Sequence, residues 1–375
     1  MIVGNRALAE QAAGLQLGHP GFSLGCDETP ANLAHTTNDA AQRKAMLAAH
    51  AREIEADLRI LDGRLSFQAD DVLLINSLRQ WQLGGIANWL AALDPDRLPT
   101  VVLILHYTPF PVPGRLDPEA DEYRTALARF QELAPARRPL LFTDSNILQD
   151  QFGQLTDLPI GLLPIPHCEP GEPKPARRAV RQGRNAVFLG QARRNKGFAL
   201  LDQAIERTQT LVPAGALHFR LQAVDPDFPD EEWNRLHQRL DALGAEMIAQ
   251  TLDEEEYAAL LQAADIVLLP YLKAHYDSQT SGVLAEALAL GKPVVVPSGT
   301  WMAEQVDGHG NAELFVSGDA ASLGDAIAAI ANDFDRYSRA AQVLAQSWGR
   351  FHNADNLITT IARQALALRH RETMT

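Results

Sequence analysis

From residue 186 onward, short, mostly apolar runs alternate with stretches of helical periodicity. The runs are AVFLG (186–190), ALHFRLQAV (216–224), AEMIA (245–249), DIVLLPY (265–271), VVVP (294–297) and ELFVS (313–317). Helical patterns separate them, among them one from about Lys196, EEWNRLHQRLDAL, DEEEYAALLQAA and ASLGDAIAAIAND. A strand with no polar alternation has no face to give to water, so both of its faces must be covered. Helices returning between such strands cover them, and the result is a parallel sheet between helical layers. This half of the chain is expected to be a Rossmann-like domain.

The first half follows the same grammar less regularly. DVLLINS (71–77), TVVLILHYTP (100–109), PLLFTDS (139–145) and IGLLPIP (160–166) read as strands, with LGGIANWLAAL and DEYRTALARFQEL as helices between them. HCEPGEPKPARRAVRQGRN (167–185), dense in Pro and charge, reads as a linker with the boundary near residue 175. We therefore expect an amino-terminal domain over 1–170 and a carboxy-terminal domain over 171–352, with a helix over 353–375 returning to the first. NRALAEQAAGLQLGH (5–19) reads as a helix running into a turn with almost no strand before it, so a first strand and its glycine loop are expected to be missing or remodelled.

A chain of 375 residues suffices for two such cores. Its net charge of -14 disfavours nucleic acid as a partner, because that binding neutralises many phosphates with Lys and Arg. Two cysteines, Cys26 and Cys168, make neither a disulfide framework nor a zinc site. No apolar run approaches the ~20 residues of a membrane span and the amino terminus lacks a signal-peptide pattern, so a cytoplasmic location is expected. The charge gives no support to peripheral membrane contact.

The chemistry concentrates in SQTSGVLAEALALGKPVVV (278–296). Ser281 and Gly282 open a helix, Gly291 closes it and Pro293 bars its continuation before the valine strand. Helix starts of this kind present unpaired N–H groups and partial positive charge, which suits a phosphate. Glu286 lies a turn and a half deeper, where a carboxylate repels phosphate but accepts hydrogen bonds from paired sugar hydroxyls. Together these features suggest a nucleotide-sugar site.

With FLGQARRNKG (188–197), DIVLLPY (265–271) and SGVLAEALALGKPVV (281–295) in this order and spacing, the chain resembles glycosyltransferase family 4, the group 1 glycosyltransferases of the GT-B fold. The resemblance covers residues 186–316 well and 71–167 more loosely. It implies two facing Rossmann-like domains with a central cleft, a nucleotide-diphosphate sugar such as a UDP- or GDP-sugar as donor, and a glycan or glycoconjugate hydroxyl as acceptor. Transfer with retained anomeric configuration and without metal or other cofactor is also implied. Without a metal, the leaving diphosphate needs cations and N–H groups from the protein, and from Lys174 to Lys196 there are eight Lys and Arg and no acid.

By the resemblance, Lys196 with Gly190 belongs to the phosphate signature. The family's Arg after the strand glycine is here Gln191, so Arg193 or Arg194 is expected to take over. Glu286 matches the second carboxylate of the paired-glutamate motif, the ribose ligand. The first falls on Ser278, with Asp277 adjacent, so that Ser278, Gln279 and Thr280 would recognise the donor sugar. N–H groups around Ser281, Gly282 and Val283 would hold the diphosphate. His106, at the end of VVLILH, resembles the histidine near the reacting sugar and makes up the catalytic set with Lys196 and Glu286. Each has a plainer alternative: solvated charges for the cations and Glu286, a structural role for His106. Asp144 and Ser145 share the strand-end position, and His167 reads first as a hinge residue. Gly84 and Gly85 read as a close helix approach or an acceptor-side turn, and Trp81 and Trp89 as core or as platforms for an acceptor sugar, with core first for Trp89. A catalytically silent GT-B partner subunit and a nucleotide-sugar epimerase remain as alternatives, the former favoured by Ser278 and Gln191.

Overall fold

The computed structural model describes residues 2–4, 18–20, 40–110, 118–166 and 183–372. The chain divides into two units, Met1–Leu163 with Thr359–Thr375 and Pro164–Ile358. The Pro-rich segment read as the linker lies, over 167–182, outside the described residues.

In the first unit, β1 (Ile2–Gly4) and β2 (Gly18–Pro20) form a parallel pair. A short strand thus stands ahead of residue 5, where almost none was expected. The four-stranded sheet runs β3 (Val72–Ile75), β4 (Thr100–Ile104), β5 (Leu140–Thr143) and β6 (Ile160–Leu162), all parallel and in sequence order. Every residue of β4 is buried, as its uninterrupted apolar run requires.

A helix that the motif reading passed over, Ala40–Leu65, buries Ile54, Leu58 and Leu61 at i, i+4 and i+7 while Arg52, Glu53 and Arg59 face outward. It packs on the helix Gln80–Ala92 so tightly that a Cβ on Gly85 would lie 2.4 Å from the Ala51 carbonyl oxygen. Gly85 thus serves the close helix approach expected of it. Trp89 and Trp81 are both buried, at 1% and 5% exposure, so Trp81 is core rather than a platform for sugar. Within the same unit, Arg369 of the last helix, Ala354–Glu372, donates to the Asp71 carbonyl at 3.1 Å.

In the second unit, β7 (Arg184–Phe188), β8 (Leu217–Gln222), β9 (Glu246–Ile248), β10 (Ile266–Leu268), β11 (Val294–Pro297) and β12 (Ala312–Phe315) form one parallel sheet in the order β12-β11-β10-β7-β8-β9. The helix expected from about Lys196 starts later, at Leu201. Two short 3-10 turns, Arg194–Lys196 and Phe198–Leu200, precede it, split by Gly197 in the left-handed region at φ 68°. Among the described residues no helix is long and apolar enough to cross a membrane.

Candidate functional site

The chain leaves β7 toward β8 and β9, then returns to the other side of β7 for β10, β11 and β12. The sheet therefore has its topological switch between β7 and β10, the position where open parallel sheets bind ligands at their carboxyl ends. The two loops that leave there are 189–200 and 269–281, and they carry the residues singled out from the sequence.

The loop after β7 is built around Lys196. Gly190 adopts φ 119°, closed to other residues, and a Cβ there would lie 2.6 Å from the lysine Nζ. The Gly190 N–H donates to Gln222 Oε1 at 2.7 Å, which holds this turn to β8. Lys196 Nζ stands 5.7 Å from the centre of the Tyr271 ring. Burial, and secondarily the Arg193 guanidinium, push its pKa below the ordinary lysine value. A desolvated ammonium beside a second cation is a site that gains from an anion.

The neighbouring arginines part company. Arg194 pairs with Glu232, its N–H donates to Asp227 Oδ1 at 2.7 Å, and its guanidinium lies 4.8 Å from the Phe228 ring centre. It ties the loop to the far side. Arg193 is exposed and electrostatically coupled to Lys196 and Tyr276. Gln191 continues the sheet beside Val224 and donates from Nε2 to Asp225 at 3.2 Å. Arg184, counted with the basic excess in the sequence, stands at the opposite, amino end of β7, stacked 4.5 Å from the Phe334 ring centre. Lys174, Arg177, Arg178, Arg181 and His167 lie outside the described residues.

After β10, Ser281 caps the helix Gly282–Ala289, accepting from the Leu284 N–H at 3.3 Å, and also hydrogen-bonds Tyr271. Tyr271 is thus the shared neighbour of Lys196 and the helix start. Gly282 and Val283, in the first turn, and Thr280 before it are half-buried. Ser278 is 1% exposed, and its N–H and hydroxyl donate to Asp277 Oδ1 at 2.7 and 3.2 Å. Gln279 is exposed. One turn into the helix, Glu286 Oε2 accepts from the Tyr257 hydroxyl at 2.5 Å. Tyr257 is raised well above the ordinary tyrosine value, first by burial and then by that carboxylate. Burial raises Tyr271 as well. Both phenols stay protonated, so Tyr257 orients Glu286 as a donor.

Tyr257 and Tyr271 escaped the sequence reading, though the DIVLLPY motif contains the second. For Tyr257 the signal was faint: one aromatic on an otherwise acidic helix start, DEEEY. In the first unit, His106 follows β4 at the carboxyl edge. Its Nδ1 lies 2.9 Å from Asp144 Oδ2, and its Nε2 lies 2.5 Å from Asn76 Oδ1. Ser145 is buried and caps the helix Asn146–Gly153, with Oγ accepting from the Leu148 N–H at 3.3 Å. Lys196, Ser281 and Glu286 thus share Tyr271 as a neighbour, Gly190 and Arg193 stand by Lys196, and Arg194, Gln191 and Ser278 turn to other partners. Among the described residues, no three of His, Cys, Asp and Glu are grouped to hold a metal ion.

Residues 183–333 match the model of the family Glycosyl transferases group 1, and so contain both loops. Among solved structures, HepE of Anabaena in complex with UDP is similar over 79% of each chain, at 20% identity and a TM-score of 0.58. The UDP-forming trehalose-phosphate synthase of Burkholderia xenovorans is similar over 89% of this chain and 80% of its own, at 16% identity and 0.60. The sucrose-phosphate synthase of Thermosynechococcus elongatus covers 84% and 78%, at 14% identity and 0.58. The fold is that of the GT-B glycosyltransferases. No curated protein matches the chain.

Proposed function

We propose that this chain is a glycosyltransferase that moves a sugar from a nucleotide diphosphate donor, a UDP- or GDP-sugar, to a sugar hydroxyl, without a metal and with retention at the anomeric carbon. The observation that carries the reading is the Lys196 ammonium, desolvated beside Arg193 and joined through Tyr271 to the start of the Gly282–Ala289 helix. Two cations and the first N–H groups of a helix are a receptor for a diphosphate. The match to the group 1 family over 183–333 and the UDP bound by the Anabaena neighbour support the same ligand.

In this reading the C1–O bond to the diphosphate breaks with its electron pair leaving on the phosphate oxygen, and Lys196, Arg193 and the N–H groups of Gly282 and Val283 offset that charge. The acceptor hydroxyl bonds to C1 on the face the diphosphate leaves, and its proton passes to the departing diphosphate. Glu286, steadied by Tyr257, takes the ribose hydroxyls. His106 keeps the role that the resemblance gives it, a hydrogen bond to a reacting sugar.

Glu286→Ala is expected to weaken UDP or GDP binding by roughly ten- to a hundredfold, the scale of charge-assisted hydrogen bonds, while the fold stays intact. Unaltered nucleotide affinity in calorimetry would remove the ribose assignment. For His106→Ala, turnover falls more than nucleotide affinity does; equal activity in variant and parent returns this histidine to a structural role. The decisive experiment incubates the protein with UDP- and GDP-sugars and a panel of sugar acceptors, measuring nucleotide release and the anomeric configuration of the product by NMR. A second reading, a nucleotide-binding subunit without turnover, draws on Ser278, whose hydroxyl is buried against Asp277. Tight nucleotide binding with no release across the panel would favour it.

A further inference from the structure

Three neighbouring strands of the first unit, β3, β4 and β5, deliver Asn76, His106 and Asp144 to the same edge of the sheet. The contacts, 2.9 Å from Nδ1 to the Asp144 carboxylate and 2.5 Å from Nε2 to the Asn76 amide, join residues 38 and 30 positions apart in sequence. One imidazole is therefore gripped at both nitrogens by groups that only the fold brings together.

The two grips differ in kind. An ionised carboxylate only accepts, so the nitrogen facing Asp144 carries a hydrogen and donates it. With Nδ1 so occupied, a neutral ring has its lone pair at Nε2. The side chain of Asp144 is 10% exposed, and it is followed by the wholly buried helix cap Ser145, so the carboxylate is anchored. Asn76 is exposed and runs into Ser77, a serine at φ 60°. Left-handed non-glycine backbone of this sort persists where the surroundings enforce it, and it clusters at functional sites. The Asn76 oxygen faces Nε2 in the structure, which suits a ring with a hydrogen there; turned over, the same amide meets a bare Nε2 with its NH2. The Asp144 side fixes the ring, whereas the Asn76 side is the side open to exchange.

We propose that Asp144 is a positioning residue that fixes His106 as the Nδ1–H tautomer and thereby presents Nε2, on the Asn76 side, as the hydrogen-bond acceptor for a hydroxyl of the reacting sugars. The identity of that hydroxyl rests on the glycosyltransferase reading; the tautomer does not. In the exchange the hydroxyl takes the place of the Asn76 amide on Nε2 and no bond to carbon is made or broken at the ring. Losing the carboxylate leaves a ring free to adopt either tautomer or to turn, and in the Nε2–H tautomer it offers the hydroxyl a hydrogen rather than a lone pair.

The test uses the full chain labelled with 15N-histidine, with the His106 signals identified by their loss in His106→Gln. The parent protein is expected to show hydrogen-bearing Nδ1 and bare Nε2, and Asp144→Asn to show a mixture or the reversed pattern. In the same variant, kcat with the responsive nucleotide sugar and acceptor falls by roughly a hundredfold, the scale of a misplaced catalytic group, while UDP or GDP affinity stays within about twofold of the parent. Asp144→Glu, which keeps a carboxylate, restores the tautomer and part of kcat. A parent ring hydrogenated at Nε2 alone, or an Asp144→Asn protein with parental tautomer and parental kcat, overturns the proposal. If no donor and acceptor pair turns over, the glycosyltransferase reading fails, and the 15N pattern still decides whether Asp144 holds the ring.

Discussion

Replacing Lys196 with alanine is expected to weaken binding of UDP or GDP by about ten- to a hundredfold, because one charge-assisted hydrogen bond to a phosphate contributes about 1.5–3 kcal/mol. The structure adds a pH signature. Burial and Arg193 hold the lysine below its ordinary pKa in the free protein, whereas a bound diphosphate would favour its charged form. Affinity from this group is therefore complete below the free-protein pKa and is lost as pH rises through it, earlier than for an exposed lysine. Titration calorimetry across the alkaline range should show this decline in the parent and not in Lys196→Ala. A variant that binds like the parent, with the same pH dependence, would move the diphosphate away from the β7 loop. Arg193→Ala should reproduce part of the loss. Arg194→Ala should act on the loop's attachment to Glu232 and Asp227 instead.

That division between adjacent arginines marks where the sequence stopped being readable. RRNKG announces positive charge at a strand end, but neutral Gln191 left two equivalent replacements. Only the fold shows that Asp227 and Glu232, over thirty residues away, engage the second. The strands were plain because a run such as VVLI or VVVP has no polar position to expose. The start of the 282–289 helix was equally plain, because Ser281 and Gly282 are local signals whose meaning needs no tertiary partner. Tyr257 and Asn76 were not readable, since each acquires its role from one residue on another element, Glu286 and His106. The Ala40–Leu65 helix carries an i, i+4, i+7 apolar stripe but no motif residue, so its sequence marks a core face and no chemistry.

The same limit applies to Gly197, which in the sequence only closes the FLGQARRNKG run and in the structure meets the loop after β10. Gly197 sits at φ 68°, and a Cβ there would come 1.8 Å from the backbone oxygen of Pro270 in the loop after β10. Gly197→Ala therefore adds two costs: roughly 1–2 kcal/mol for an L-residue in the left-handed region, and the displacement of a backbone that flexible side chains cannot absorb. Pro270 is followed by Tyr271, and Leu272 donates its N–H to the Asn195 carbonyl at 2.9 Å, so the two loops are clamped at this point. Separating them moves Lys196 away from Tyr271. The expected result is a destabilisation well beyond 2 kcal/mol in the transition of the second unit, together with weakened nucleotide binding in whatever folded protein remains. Gly215→Ala supplies the control: its φ is 75°, and nothing lies within 4 Å of the added Cβ. It should show the backbone cost alone, with nucleotide affinity intact. Equal midpoints for the two variants in denaturant unfolding, followed by tryptophan fluorescence, would mean that the approach of Gly197 to Pro270 does not hold the β7 loop against its neighbour.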